Sequence, residues 1–220
     1  IYHPDGSLRE YSFQEKPAEW IFINTQVIAD APKKYLWAGI GDTMAKFYEC
    51  TTSARGLKLD HATSMGAQIS HLCAKPLVTY GVQALKECEA HTPGEALEEI
   101  VLGIIVSTGF VSNLVGIDLN TGLAHACYNG FTVCKSTEEH GHLHGEIVAY
   151  CILILLTVDH QKEEFEKIYQ FSKSMHFPTT LADIHASLDD MDAVIAKALS
   201  GIDVRTWPYE VTPSMILDAV

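Results

Sequence analysis

Ala38-Gly39-Ile40-Gly41-Asp42-Thr43-Met44 is the stretch on which the fold class turns. Two glycines one residue apart are also how a dinucleotide-binding fingerprint begins, but that motif needs a strand before it, a third glycine and a helix opening afterwards. The context differs here, because residues 33–38 read as helix and Met44 stands where the third glycine should be. The small residues instead let this helix pack close to another and place Asp42 inward. Around it lie Tyr35, Leu36, Trp37, Ile40, Met44, Ala45 and Phe47. An acid in so apolar a segment costs free energy unless a cation or hydrogen bonds compensate it. A metal ion would meet that need, and so would Lys46 one turn on.

Outward from this stretch the pattern stays helical. From Ala31 onward apolar residues recur at helical spacing, predicting helices over 33–50, 60–90 with a kink at Pro76, 122–133, 143–160, 162–175, 180–186 and 191–199. Thr92-Pro93-Gly94-Glu95 has the form of a capping box with Pro at the first helical position, and Thr212-Pro213 repeats the start, so helices are expected from 93 and 213. The first thirty residues differ. Asp5-Gly6 is a hairpin-type turn signal, and residues 8–14 and 20–24, short aromatic and β-branched runs bounded by Pro17 and Pro32, read as strands. The expected class is mainly α, with a short β segment in 1–31 before a helical domain over 32–220.

Composition limits what such a domain can do. With 220 residues, 47% of them hydrophobic and 20% charged, the chain can bury a sizeable core and is not of the disordered or fibrous class. Fifteen Lys+Arg against 28 Asp+Glu give a net charge of -13, which repels phosphate backbones and anionic bilayers, so neither nucleic acid nor membrane is an expected partner. Residues 147–158 are apolar but too short to span a bilayer and read as a buried core helix. Residues 100–117 carry Ser107, Thr108, Ser112 and Asn113 between acidic flanks and read as a central helix wrapped by others. Six cysteines without a CxxC pair suit a reducing cytoplasm. Ile1-Tyr2-His3-Pro4 lacks the features of a signal peptide, and with no initiator Met the chain is expected to begin within a longer protein.

Two histidine-bearing segments complete the chemistry. His125 lies in Gly122-Leu123-Ala124-His125-Ala126-Cys127-Tyr128-Asn129-Gly130, where small neighbours admit a ligand or substrate and Asn129 shares its helical face. Residues 138–146 hold His140, His142 and His144; Gly141 favours a loop first, which leaves His144 and Glu146 at the start of the next helix. Asp42, His125 and His144 could together hold a divalent metal by three ligands and leave positions open for a reacting oxygen. From spacing alone, a core histidine and a solvated histidine-rich turn stand beside that reading. His3, His61, His71, His91, His160, His176 and His185 show no partner pattern. Neither a Gly-x-Ser-x-Gly elbow nor a P-loop is present.

Through residues 28–32, 38–49, 122–132 and 142–146 the chain resembles the glycerol dehydrogenase branch of the iron-containing alcohol dehydrogenase superfamily, with its dehydroquinate-synthase-like fold. The resemblance implies a helical C-terminal domain, with metal ligands at Asp42, His125 and His144 and no further catalytic side chain. It also implies Zn²⁺ or Fe²⁺ as the ion, and NAD(P) bound mainly by an N-terminal α/β domain whose glycine-rich loop has no counterpart here; residues 1–31 would be that domain's last strands. Substrates would be small alcohols, polyols or hydroxy acids, a homo-oligomer is compatible with it, and this chain alone is expected to be inactive. Tyr128 stands where such proteins often carry His. Two alternatives remain at this level: a dehydroquinate synthase-like lyase, which would want Glu at Asp42, and a helical interaction module with an unused metal site.

Overall fold

The apolar run 147–158 forms the axis around which the rest of the chain is arranged. The computed structural model describes Arg9 and residues 16–220. Within them the elements are α1 (Thr25–Asp30), α2 (Lys33–Ser53), α3 (His61–Ile69), α4 (Lys75–Glu89), α5 (Glu95–Val101), a π-helical turn (Leu102–Ser107), α6 (Thr108–Leu114), α7 (Ile117–Asn120), α8 (Leu123–Phe131), α9 (Lys135–Glu139), α10 (His144–Val158), α11 (Lys162–Met175), α12 (Met191–Ser200) and α13 (Pro213–Leu217). Over residues 147–156 helix α10 is apolar and buried on all sides: Val148, Ala149, Cys151, Ile152, Ile154, Leu155 and Leu156 are fully inaccessible. A helix without a polar face must be enclosed, and α2, α8, α11 and α13 enclose it. Capping sets its start. Glu146 accepts the N–H of Leu143 (3.0 Å), and Gly141, at φ +69°, turns the chain just upstream, so the segment before His144 is loop as expected.

Helix α2 crosses α10 at a glycine contact. A Cβ on Gly145 would lie 1.8 Å from the carbonyl oxygen of Ala38, and one on Gly41 would lie 2.3 Å from that of Gly145. Only glycine allows this approach, and the residues next in sequence, Asp42 and His144, are thereby brought face to face.

Several expectations are corrected. Residues 20–24 form no strand: among the described residues there is none, Trp20 and Phe22 are 79% and 92% exposed, and without a neighbouring strand their backbone has no ladder to join. Residues 25–30, within the expected β segment, are instead helix α1, capped by the Asn24 side chain on Gln26 N–H (3.0 Å). The turn at Asp5-Gly6 and the strand at 8–14 fall outside the described residues apart from Arg9. The helix expected over 60–90 breaks rather than kinks, into α3, a 3₁₀ turn (Ser70–Cys73) and α4, with Pro76 in the first turn of α4, where its missing N–H costs nothing. The Thr92–Glu95 capping box does not form. Glu87 caps α5 from α4 instead, accepting the N–H groups of Gly94 (3.1 Å) and Leu97 (2.8 Å). The segment 180–186 is a 3₁₀ turn (Leu181–Ile184).

The helix expected at 100–117 is not wrapped. Glu95–Leu114 runs as one 20-residue helix, long and apolar enough to cross a membrane by length and composition, with one third of its apolar window buried. Val101, Gly103, Ser107 and Val111 face the interior, whereas Leu102, Ile105 and Phe110 are exposed. A π turn interrupts its α-helical bonding over Leu102–Ser107, and there the Thr108 hydroxyl donates to the Gly103 carbonyl (3.2 Å).

Candidate metal centre

Asp42 on α2, His125 on α8 and His144 at the start of α10 meet where these three helices converge, with one possible ligand atom from each within 4.8 Å of the others. Both imidazoles turn Nε2 toward one carboxylate oxygen: Asp42 Oδ1 lies 2.9 Å from His144 Nε2 and 3.3 Å from His125 Nε2. The histidine rings are 5.5 Å apart and tilted, so their nitrogens converge instead of stacking. Side-chain exposures of 43% at Asp42, 37% at His144 and 20% at His125 mean that the cluster is rooted in the core and open on one side.

The sequence offered Lys46 as an alternative partner for Asp42. Lys46 goes elsewhere, donating to the backbone and side-chain oxygens of Asn120, each at 2.7 Å. Asp42 therefore has only imidazoles for company among the described cations. Burial would raise its carboxyl, but hydrogen bonds from His125 and His144 and their positive charge outweigh this and hold it well below the usual carboxylate range. At His125, burial pulls the other way. It disfavours the imidazolium, yet the charge of Glu49 and hydrogen bonds to Asp42 and Glu49 push the group up to about 10.

Glu49 is the site residue that sequence reading missed. It is fully buried, and its Oε2 sits 2.7 Å from His125 Nδ1 while Oε1 accepts the His125 backbone N–H at 2.8 Å. The second bond satisfies one of the orphan donors in the first turn of α8, whose cap residue, Gly122, has no side chain to do so. A Cβ on Gly122 would press within 3.1 Å of the Glu49 side chain, so the glycine makes room for the acid. The available signal was positional: Glu49 lies two turns after Asp42 on the same face of α2.

Other residues of the histidine segments divide cleanly. Tyr128 presents its ring edge-on to His144, 4.1 Å between centroids, and forms a wall of the site. Asn129 is buried and turned to Asp203 Oδ2 (3.2 Å), which also accepts at Oδ1 from Thr121. His142 pairs with Glu146 (2.9 Å) and with His185 (2.7 Å), and His140 stacks on His185, so His185, which showed no partner pattern in the sequence, joins two histidines of residues 138–146 in a cluster apart from the three converging residues. A cavity of about 550 Å³ between α2, α4 and α11 contains none of the three converging residues, and its Tyr48, Lys167 and Glu164 satisfy one another.

The donor set suits a borderline divalent ion. Tetrahedral ligands at about 2.0–2.2 Å from a metal lie about 3.3–3.6 Å apart; His125 Nε2 is already at that spacing from Asp42 Oδ1, at 3.3 Å, whereas His144 Nε2, at 2.9 Å, is in direct hydrogen-bond contact and would move back to admit an ion. Two neutral imidazoles and one carboxylate leave room for a further oxygen ligand on the open side.

No family model matches the chain. Among curated proteins it is 32% identical to a glycerol dehydrogenase of Thermotoga maritima over 100% of this chain and 61% of that protein. It is 29% identical to hydroxycarboxylate dehydrogenase A of Escherichia coli over 98% of this chain and 60% of that protein. Among solved structures it superposes on a probable glycerol dehydrogenase from Sinorhizobium meliloti with a TM-score of 0.88 at 26% identity, covering 99% of this chain and 62% of that one. The chain thus spans about three-fifths of the length of the curated relatives it matches.

Proposed function

We propose that this chain, which fits a glycerol dehydrogenase-like C-terminal domain, is the metal-binding part of an NAD(P)-dependent dehydrogenase acting on a small alcohol, polyol or hydroxy acid. In this reading residues 32–220 form the catalytic domain, residues 1–31 lead from a nucleotide-binding domain, and NAD(P) is held mainly by that domain. A reducing cytoplasm suits six free, buried cysteines.

One observation carries the proposal: a single carboxylate oxygen of Asp42 faced by the Nε2 atoms of two histidines, at 2.9 and 3.3 Å. Zn²⁺ or Fe²⁺ bound there would act as a Lewis acid, polarising a substrate hydroxyl or carbonyl oxygen. Asp42 supplies the negative charge that offsets the ion, and His125 and His144 supply neutral donors. Rigid helices hold all three, as positioning to within fractions of an ångström requires. Tyr128 closes one side of the cluster, so substrate approaches from the open side where Asp42 and His144 are exposed. The names of the relatives cover both a polyol and hydroxy acids, which is the substrate range assigned here.

The test uses the full-length protein, stripped of metal by chelation and assayed with NAD⁺ and NADP⁺ against glycerol, other small polyols and 2-hydroxy acids. Turnover should vanish with the metal and return on adding Zn²⁺ or Fe²⁺. Undiminished turnover in metal-free protein would reject the reading, as would inactivity of the reconstituted enzyme toward every member of the panel.

A further inference from the structure

Resting on that reading, we propose that Glu49 is a positioning residue that selects the metal-binding tautomer of His125, holding hydrogen on Nδ1 so that the Nε2 lone pair points at the ion. The argument is one of donors and acceptors. Glu49 is 0% exposed and faces two N–H groups of one residue: the His125 backbone N–H, 2.8 Å from Oε1, and His125 Nδ1, 2.7 Å from Oε2. The backbone group can only donate. Only a carboxylate offers two acceptors at once, so Oε2 is left to accept from Nδ1–H, and the neutral ring must carry its lone pair on Nε2. That nitrogen is the one turned toward Asp42, at 3.3 Å.

His144 provides the internal contrast. Its Nδ1 is buried with no hydrogen-bond partner among the described residues, so nothing comparable selects its tautomer. A ligating histidine normally has its second nitrogen engaged. Of the two, His125 is therefore the fixed ligand and His144 the adaptable one.

Glu49→Gln is the discriminating change, because it keeps size and shape. If the amide oxygen accepts the backbone N–H, the amide NH₂ faces Nδ1 and drives hydrogen to Nε2, the wrong nitrogen. If the amide turns over, NH₂ confronts the backbone N–H. Zn²⁺ titration of the 220-residue chain should show binding weakened about 10–100-fold in Glu49→Gln, with Glu49→Asp, which restores the second acceptor, recovering part of the loss. Nitrogen-15 and proton NMR of the histidine rings read this directly: in the parent, with or without Zn²⁺, His125 should show an Nδ1–H strongly hydrogen-bonded to Glu49, with Zn²⁺ attaching at Nε2, and Glu49→Gln should lose that Nδ1–H signal. Circular dichroism identifies folded variants. A folded Glu49→Gln chain with parental Zn²⁺ affinity and an unchanged His125 tautomer overturns the inference. Failure of the parent itself to bind Zn²⁺ would instead sink the metal-centre reading, and the NMR comparison would still decide the role of Glu49.

Discussion

Replacing Gly145 by alanine sets two physical effects against each other. Gly145 is the second residue of α10, and by backbone propensity alone alanine in a helix should be worth about 0.5–1 kcal/mol over glycine. Packing opposes this. The added Cβ would lie 1.8 Å from the Ala38 carbonyl oxygen and 2.7 Å from its carbon, and the obstacle is backbone within α2, not the end of a flexible side chain. An ordinary carbon–oxygen contact is about 3.3–3.6 Å, so the two helices must part by about 1.5 Å. Overpacking of this kind costs about 1–3 kcal/mol or more, which for a chain of this size lowers Tm by about 2–4 °C per kcal/mol. The same displacement separates Asp42 from His144, whereas metal sites tolerate errors of only about 0.2 Å. Zn²⁺ affinity should therefore fall together with Tm. Gly109→Ala on α6 is the control: its Cβ meets nothing within 4 Å, so it should stabilise or be neutral and leave affinity unchanged. Thermal unfolding and metal titration of both variants check this. If Gly145→Ala matches the parent in Tm and affinity, the glycine crossing does not set the geometry of the site.

Other outcomes follow from the same geometry. Asp42→Asn keeps the shape but removes the charge facing both imidazoles, so metal binding should weaken at least about tenfold while circular dichroism stays unchanged, since the residue is 43% exposed. With His125 raised to about 10, the metal-free centre holds a proton at neutral pH that an ion must displace, so affinity should rise about tenfold per pH unit on going from about pH 6 to about pH 8. For folding of the metal-free chain the sign is the reverse. The raised His125 contributes stability that is fully present below its unfolded value of 6.5 and is lost as pH rises through about 10, whereas the depressed Asp42 contributes above 3.8 and is lost as pH falls; urea unfolding across pH reads both. Glu87→Ala removes the acceptor for two backbone donors of α5 and should cost about 1 kcal/mol, measurable in the same urea experiment.

Sequence made some of this molecule legible and hid the rest for identifiable reasons. Helix α11 has the bounds its pattern predicts, Lys162–Met175, because its periodicity is bounded by polar turns. Helix α10 was legible as a core element because an uncharged run too short to span a bilayer has to be enclosed by other helices. Asp42, His125 and His144 were each singled out before their proximity was known, and Gly41 was read as a place of close helix approach, which the contact with Gly145 bears out. What escaped depends on partners distant in sequence. Glu49 bonding His125 across 76 positions and Lys46 choosing Asn120 over Asp42 are long-range choices that no local pattern encodes, and Glu87 caps α5 from the end of the preceding helix, across a turn that a capping-box pattern does not span. Residues 20–24 show the converse: a β-prone composition makes no strand without a neighbour to pair with.

The most direct test of the metal centre is X-ray absorption at the metal edge, together with elemental analysis, on the chain reconstituted with Zn²⁺. One ion per chain, with a shell of nitrogen and oxygen alone at about 2.0–2.2 Å and two imidazoles in the outer scattering, is the predicted result, and it should disappear in His125→Ala. A sulfur shell at about 2.3 Å, drawn from any of the six buried cysteines, or the absence of stoichiometric metal, would contradict the assignment of Asp42, His125 and His144.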